Sequence, residues 1–213
     1  MIWPFIQCLS QDGIRLSHQE QIFSFCLVGA KWIQLRMKTA TDEEVASVVD
    51  AVLPTCRKVG ATLIVNDRIH VALQCGADGV HLGKTDMPWE TARELVGTQM
   101  IIGGTVNSKL DAQRAAESGV LDYVGVGPFR FTLTKENLAP TLQRAEWKEI
   151  LQILGELPSF AIGGIRTADI SAIRKLGVTG MAISSGFHHG NGIAETYPHY
   201  ESIWNESDCN RNH

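Results

Sequence analysis

The sequence is poor in the features that mark several classes of protein. Its five cysteines lie far apart, with no Cys-x-x-Cys pair and no metal-finger spacing, which argues against a disulfide framework or a zinc finger. The formal net charge is -4 over 213 residues, so no general basic surface offers itself to nucleic acid or to an anionic membrane. Apolar runs are too short to span a bilayer, and no secretory leader opens the chain. We therefore expect free thiols, a cytoplasmic location, no nucleic-acid partner and no membrane partner, while a homo-oligomer stays open.

Short apolar strands alternate with amphipathic helices along the whole chain. Eight strand-then-helix units without a linker predict a single-domain (β/α)8 TIM barrel, of the α/β class, over residues 1–206, followed by a disordered tail, 207–213. A doubly wound open sheet is the alternative, but such sheets usually have about five or six strands. The predicted strands are Phe5–Leu9, Trp32–Arg36, Thr62–Val65, Gly79–Leu82, Met100–Gly103, Asp122–Gly127, Ser159–Ile162 and Gly180–Ile183.

The segment after the sixth predicted strand concentrates groups that bind anions. Pro128 ends this strand, because proline has no backbone donor and a fixed φ. Thr132, Thr134 and Lys135 follow in the loop, and hydroxyls beside a cation suit a phosphate or a diphosphate. A solvated surface loop is the alternative reading of the same residues.

Two glycine- and serine-containing turns follow the seventh and eighth strands. They are Gly163-Gly164 and Ser184-Ser185-Gly186. In barrels of this class the loops at these two strands frequently bind a phosphate through backbone N–H groups. We therefore predict a phosphate site there, with simple tight turns as the alternative.

Alternating polar side chains close the second strand. Gln34, Arg36 and Lys38 are two residues apart and so leave an extended strand on one side. Two neighbouring cations repel each other unless an anion lies between or near them. This pattern predicts a second anion site, although a solvated strand end would also account for it.

Two aspartates follow adjacent strands. Asp67 comes after the third strand and Asp86 after the fourth, and Mg²⁺ typically takes one or two protein carboxylates together with phosphate oxygens and water. The pair predicts a magnesium site; an acid–base role or a helix cap is the alternative for either residue. His81 lies inside a strand and is predicted to be a hydrogen-bonded core residue. No His-Glu-x-x-His pattern occurs, so zinc is not expected.

An ordered set of motifs between residues 34 and 186 resembles the thiamine-phosphate synthase family. The set comprises Gln34-Leu35-Arg36-Met37-Lys38, Val65-Asn66-Asp67, Gly79-Val80-His81-Leu82-Gly83 with Asp86, Gly125-Val126-Gly127-Pro128 with Thr132, Thr134 and Lys135, Ala161-Ile162-Gly163-Gly164-Ile165, and Ser185-Gly186. Each motif alone is weak, but their order and spacing are specific. The resemblance implies a (β/α)8 transferase of thiamine biosynthesis that joins a hydroxymethylpyrimidine diphosphate to a thiazole phosphate with Mg²⁺.

The same resemblance implies roles for individual residues. Gln34 would contact the pyrimidine, and Thr105 would stand where the family usually has a serine. The diphosphate would be held by Arg36, Lys38, Asn66 and Lys135, Mg²⁺ by Asp67 and Asp86, and the thiazole phosphate by Thr132, Thr134, Gly164 and Ser185, with Ser184 beside it. The residues expected to act in the chemical step are Arg36, Lys38, Thr105 and Lys135.

The sequence also departs from the family pattern. Asn107 stands where the family commonly has a histidine after the fifth strand, and asparagine does not titrate near neutral pH. The segment after Lys135 lacks a glycine often found there. Two rival functions therefore stay open: a thiazole tautomerase-like isomerase, which would need a histidine near the end of the sixth strand, and a non-catalytic protein that binds a phosphorylated metabolite.

Overall fold

A closed parallel barrel forms the molecule. The computed structural model describes residues 2–130, 140–188 and 192–209, without the side chains of 207–209. Within these residues eight strands pair in parallel in chain order, and β8 pairs with β1, which closes the sheet. The strands β1 to β8 are Ile6–Leu9, Trp32–Leu35, Thr62–Asn66, Gly79–Leu82, Ile101–Val106, Tyr123–Val126, Ser159–Ile162 and Gly180–Ile183. The (β/α)8 prediction is confirmed.

A helix follows each strand and packs outside the barrel. Helices α1 to α8 are His18–Leu27, Asp42–Val59, Ile69–Cys75, Trp89–Val96, Lys109–Ser118, Arg144–Leu154, Ile170–Leu176 and Ile193–Cys209, with short 3₁₀ helices at Thr167–Asp169 and Ser185–His188. Thr41 and Glu44 form the capping box that starts α2, and Gly60 ends that helix in the left-handed conformation. Among the described residues, no helix combines the length and the apolar character needed to cross a membrane.

Most of the predicted strands agree with the structure to within a residue or two, but the fifth does not. We placed its end at Gly103, whereas β5 continues to Val106, so Thr105 lies within the strand and not in the loop beyond it. Glycine here does not mark a turn. A Cβ on Gly103 would lie 2.2 Å from the ring of Tyr123, and one on Gly104 would lie 2.8 Å from Leu121, so both glycines make room for neighbouring side chains.

Aromatic rings fill the barrel at its amino-terminal end. Trp32, Tyr123 and Phe160 are fully buried, and the ring centroids of Trp32 lie 4.7 Å from Tyr123 and 4.4 Å from Phe160. Trp3 precedes β1 and packs on Trp32 at 5.0 Å. Large rings in edge-on contact leave little free volume, so polar side chains that reach into the barrel have room only nearer the other end.

Replacing Gly103 with alanine is expected to destabilise the barrel. The added methyl group would overlap the Tyr123 ring, and overpacking of this kind typically costs about 1–3 kcal/mol. Urea denaturation should show the loss as a lower midpoint. The control is Gly125→Ala, whose Cβ would meet its nearest neighbour, His81, at an ordinary 3.5 Å; equal destabilisation of the two variants would contradict the packing argument.

Candidate active site

The carboxyl ends of β2, β3 and β4 carry neighbouring charged side chains. Asn66 is the last residue of β3, Asp67 follows it directly, and Arg36 and Lys38 follow β2. The register pairs Gln34 with Ile64 and Asn66 with His81, so these strand ends lie side by side at one rim of the barrel. Residues distant in the chain are thus brought together where barrel enzymes hold their sites.

Asp67 is fixed by hydrogen bonds through both its backbone and its side chain. Its φ of 65° lies in the left-handed region, which aspartate enters more readily than most residues because its side chain is short and polar. Its N–H donates to the carbonyl oxygen of His81 at 2.8 Å, and its Oδ2 accepts from Nζ of Lys38 at 2.5 Å. The carboxylate is therefore held in one place on the rim.

Asp86 faces Asp67 from the turn after β4. Its Oδ2 accepts from the N–H of Gly83 at 2.6 Å, and its carboxyl group hydrogen-bonds to that of Asp67. Burial raises the pKa of Asp86, and the bond with Asp67 raises it further. Burial also acts to raise the pKa of Asp67, but the hydrogen bonds from Lys38 and Asp86 outweigh it and lower that pKa. A nearby cation would stabilise the charged form of both groups.

The donor set of this pair fits a hard divalent ion. Mg²⁺ takes oxygen ligands and completes its shell with phosphate oxygens and water, and two facing carboxylates supply the protein share of such a shell. In the part of the chain that the structure describes, no group of three or more His, Cys, Asp or Glu side chains is suited to hold a metal. The chemistry of Asp67 and Asp86 therefore suits an ion that arrives together with an anionic ligand.

Arg36 interacts with the charge of Asp67 and with that of a further aspartate, Asp12. Burial lowers the pKa of its guanidinium group, while the charges of Asp12 and Asp67 act to raise it. Asp67 thus interacts with both cations of the second strand, since it also bonds Lys38. The two cations converge on one place, as their alternation in the sequence predicts, and Asp12 joins them from the loop after β1.

A buried chain of hydrogen bonds crosses the barrel below this rim. The hydroxyl of Tyr123 lies 3.1 Å from Nε2 of Gln7 and 3.1 Å from Nδ1 of His81, and it also bonds Gln34. Nε2 of His81 lies 3.0 Å from Oγ1 of Thr105. Because β1 and β6 are not neighbours in the sheet, these contacts span the interior. Burial raises the pKa of Tyr123, so a neutral phenol links Gln34 to Thr105 through His81, which is the hydrogen-bonded core residue we expected.

Asn66 presents an amide donor that the described residues do not use. The residue is 7% exposed, and its Nδ2 has no hydrogen-bond partner in the described part of the chain. A buried donor without an acceptor costs free energy, so such groups are normally paired. An anionic ligand at this rim would supply the acceptor.

The loop after β7 lies between the start of the loop after β6 and the loop after β8. Gly163 and Gly164 have φ values of 107° and 59°, and the carbonyl oxygen of Gly163 accepts from the N–H of Arg130 at 3.0 Å. A Cβ on Gly163 would lie 2.8 Å from the Cβ of Pro128, so the close approach of the two loops requires glycine. Ser185 begins the 3₁₀ helix that follows β8. Because β7 and β8 are paired neighbours in the sheet, the two predicted phosphate loops lie next to each other.

Three predicted site residues, Thr132, Thr134 and Lys135, lie outside the described residues. Arg130, the arginine that precedes them, lies inside, and its Nε donates to both carboxylate oxygens of the buried Asp169, at 2.9 and 2.8 Å. No sequence signal pairs residues so far apart.

Asn107 binds the neighbouring strand end. Its Nδ2 donates to the carbonyl oxygen of Gly127 at 2.6 Å, and its N–H donates to Asp111 at 3.0 Å. An amide serves this contact without any titration. The asparagine at this position therefore holds the end of β6.

Comparisons with known proteins agree with this geometry. A family model described as thiamine monophosphate synthase matches residues 8–187. The chain is 43% identical over 183 residues to the thiamine-phosphate synthase of Bacteroides thetaiotaomicron, and the alignment covers 84% of this chain and 87% of that protein. It is 47% identical over 160 residues to the thiamine-phosphate synthase of Bacteroides fragilis, which covers 73% of this chain and 78% of that protein.

A solved structure shows the same barrel. The thiamine phosphate pyrophosphorylase from Pyrococcus furiosus superposes with a TM-score of 0.82 at 28% identity, covering 94% of this chain and 95% of that one. The family-model match, residues 8–187, includes the strand ends where the charged side chains converge. The chain is thus a member of the thiamine monophosphate synthase family.

Proposed function

We propose that the side chains gathered at this rim catalyse the transferase reaction for which the family is named. The substrates are 4-amino-2-methyl-5-hydroxymethylpyrimidine diphosphate and 4-methyl-5-(2-phosphoethyl)thiazole, and the products are thiamine phosphate and diphosphate. The observation that carries the proposal is the convergence of Arg36 and Lys38 with Asp67 and Asp86. Two cations and a carboxylate pair together suit a metal-bound diphosphate.

The reaction exchanges one bond to a methylene carbon for another. The bond from this carbon to the diphosphate oxygen breaks, and its electron pair leaves with the diphosphate. The lone pair of the thiazole nitrogen then forms the new carbon–nitrogen bond. Because the aminopyrimidine is rich in electrons, it can stabilise a positively charged carbon between the two events, so no covalent adduct to the protein is needed.

The protein's share is charge stabilisation and positioning. A cation about 4 Å from a diphosphate charge contributes roughly 4 kcal/mol at an effective dielectric near 20, before desolvation. Arg36 and Lys38 lie on the described rim, and Lys135 is the third cation expected there. Asn66 adds a buried amide donor. Groups already held in place by the fold stabilise the leaving charge without reorganising.

Asp67 and Asp86 would hold Mg²⁺ at this rim. The ion would supply positive charge to the departing diphosphate. Lys38 bonds Asp67 at 2.5 Å, and its ammonium group lies within reach of the same anion. The carboxylates and the lysine thus offer one connected surface to a negatively charged leaving group.

The interior below the rim suits the pyrimidine, and the loops after β7 and β8 suit the thiazole phosphate. Gln34 and Thr105 are polar, buried and connected through Tyr123 and His81, which fixes their orientation for a flat heterocycle. Backbone N–H groups at Gly164 and Ser185, with Ser184 beside them, would bind the phosphate, together with Thr132 and Thr134. Water would be kept from the reactive carbon by the two substrates themselves.

Diphosphate release measured with both substrates tests the proposal. We expect equal amounts of diphosphate and thiamine phosphate, both dependent on Mg²⁺, and far less diphosphate when the thiazole phosphate is omitted. Calorimetric binding of the thiazole phosphate without any diphosphate release would instead identify a metabolite-binding protein. Isomerisation of a thiazole without diphosphate release would identify the isomerase, although the end of β6 reads Gly127-Pro128-Phe129 and has no histidine.

A further inference from the structure

We infer that His18 is a positioning residue for the diphosphate half of the site, through a hydrogen-bonded bridge that holds the backbone of Arg36 and Lys38. The inference rests on the proposed function. The bridge consists of Ser10 and Asp12, which lie in the loop after β1, and His18, which begins α1.

The bridge has backbone donors at both of its ends. At one end the N–H of Arg36 donates to Oγ of Ser10 at 2.9 Å. At the other end the N–H of Lys38 donates to Oδ2 of Asp12 at 3.1 Å. His18 joins the two ends, with Nδ1 2.8 Å from Oγ of Ser10 and Nε2 3.1 Å from Oδ1 of Asp12. The segment that carries both cations is therefore anchored at each of them.

Burial and local structure make this anchor firm. Ser10 is fully buried, and the His18 side chain is 13% exposed. Ser17 and Glu20 form a capping box that starts α1, with Glu20 N–H on Oγ of Ser17 and Ser17 N–H on the Glu20 carboxylate. The helix start is thus fixed, and His18 occupies its first position.

The bridge works with either protonation state of the imidazole. In the neutral ring, the Ser10 hydroxyl donates to Nδ1 and Nε2–H donates to Asp12. In the charged ring both nitrogens donate to oxygens, and Ser10 still has a lone pair for the N–H of Arg36. A structural connector with this tolerance is expected to act through geometry and not through proton transfer.

The far end of Lys38 is held as well, because its Nζ bonds Asp67. Asp12 and Asp67 thus hold the two ends of one lysine, and both also interact with the charge of Arg36. If the bridge is lost, the segment after β2 gains freedom where it must present two cations to one anion. A loss of this kind is expected to weaken binding of the diphosphate. The Ser184 hydroxyl lies 3.3 Å from Oε1 of Gln11 in the loop after β1, but Gln11 is held separately by two hydrogen bonds with Gln21, so the loops after β7 and β8 should change much less.

Steady-state kinetics of His18→Ala, with each substrate varied in turn, tests the inference. We expect KM for the pyrimidine diphosphate to rise about tenfold, which corresponds to about 1.4 kcal/mol, while KM for the thiazole phosphate stays within about twofold. Calorimetry with inorganic diphosphate and Mg²⁺ should show the same weakening. His199→Ala, an exposed histidine of α8, is the matched control and should change neither constant.

Conservative variants separate positioning from folding. His18→Gln can place an amide near the Nε2 position and keep the bond to Asp12, so it should restore most of the lost affinity, whereas His18→Asn should not. An unchanged KM for the diphosphate substrate in His18→Ala would overturn the inference, as would equal increases for both substrates or equal defects in the glutamine and alanine variants. If His18→Ala does not fold, the comparison of His18→Gln with His18→Asn decides. A wild-type chain without diphosphate release would instead refute the proposed function itself.

Discussion

Replacing Arg36 with alanine is expected to lower turnover about 100- to 1,000-fold. The variant loses roughly 4 kcal/mol of attraction to the leaving charge, partly offset by desolvation. About 1.4 kcal/mol corresponds to a tenfold change in rate. The guanidinium is already partly desolvated, and burial lowers its pKa, so the residue is held at a cost to stability. We therefore expect the free energy of unfolding to change by less than about 1 kcal/mol. A diphosphate-release assay and urea denaturation measure the two quantities.

The control for this variant is Arg114→Ala. Arg114 is an exposed residue of α5, so its removal changes the net charge equally without touching the rim. Turnover should then stay near that of the unaltered protein. Near-normal turnover in Arg36→Ala, or a loss that simply follows reduced stability, would contradict a role of Arg36 in leaving-group stabilisation.

Replacing either rim aspartate with asparagine is expected to abolish the response to Mg²⁺. Metal stabilisation of a departing phosphate oxygen contributes several kcal/mol, so turnover should fall at least about 100-fold at about 1.4 kcal/mol per tenfold. Asparagine is also at ease in the left-handed conformation that Asp67 adopts, so Asp67→Asn leaves the backbone unstrained. Turnover measured over a range of Mg²⁺ concentrations shows whether the dependence has gone.

Asp86→Asn has a second expected effect: although it lowers turnover, it should raise the stability of the fold. The pKa of Asp86 is raised by burial and by Asp67, which means that its charged form is unfavourable in the fold at neutral pH. Removing this charge, while keeping an oxygen for the Gly83 N–H, should raise the melting temperature at neutral pH. An enzyme that is more stable and inactive would match the proposal. A variant that keeps Mg²⁺-dependent turnover would rule Asp86 out as a ligand.

The alternation of strands and helices was sufficient to predict the barrel, because each unit carries its own apolar periodicity and its own stop signal. Such signals are readable in the sequence itself: Thr41 with Glu44 starts α2, and Gly60 ends it. The predicted end of the fifth strand was wrong for a physical reason. Gly103 and Gly104 look like a turn in the sequence, but they are the residues whose missing side chains admit Tyr123, Trp89 and Leu121.

The site was predictable where topology alone determines position. Parallel strands bring their carboxyl ends to one rim, and this places Arg36, Lys38 and Asp67 together whatever their side chains do. Asp12 and His18 could not be found in this way, because their contacts depend on the path of the loop after β1. Tyr123 could not be found either, since a strand tyrosine gives no sign that it contacts β1 and β4 across the interior. The roles of Thr132, Thr134 and Lys135 stay predictions.

The packed rings of Trp3, Trp32, Tyr123 and Phe160 have a kinetic consequence. They close the amino-terminal end of the barrel, so both substrates are expected to enter, and both products to leave, at the carboxyl-terminal rim. With the pyrimidine bound deepest, as proposed above, it would have to bind before the thiazole phosphate covers it, and thiamine phosphate would have to leave before another pyrimidine diphosphate binds. Initial-rate kinetics should then show an ordered addition of the two substrates.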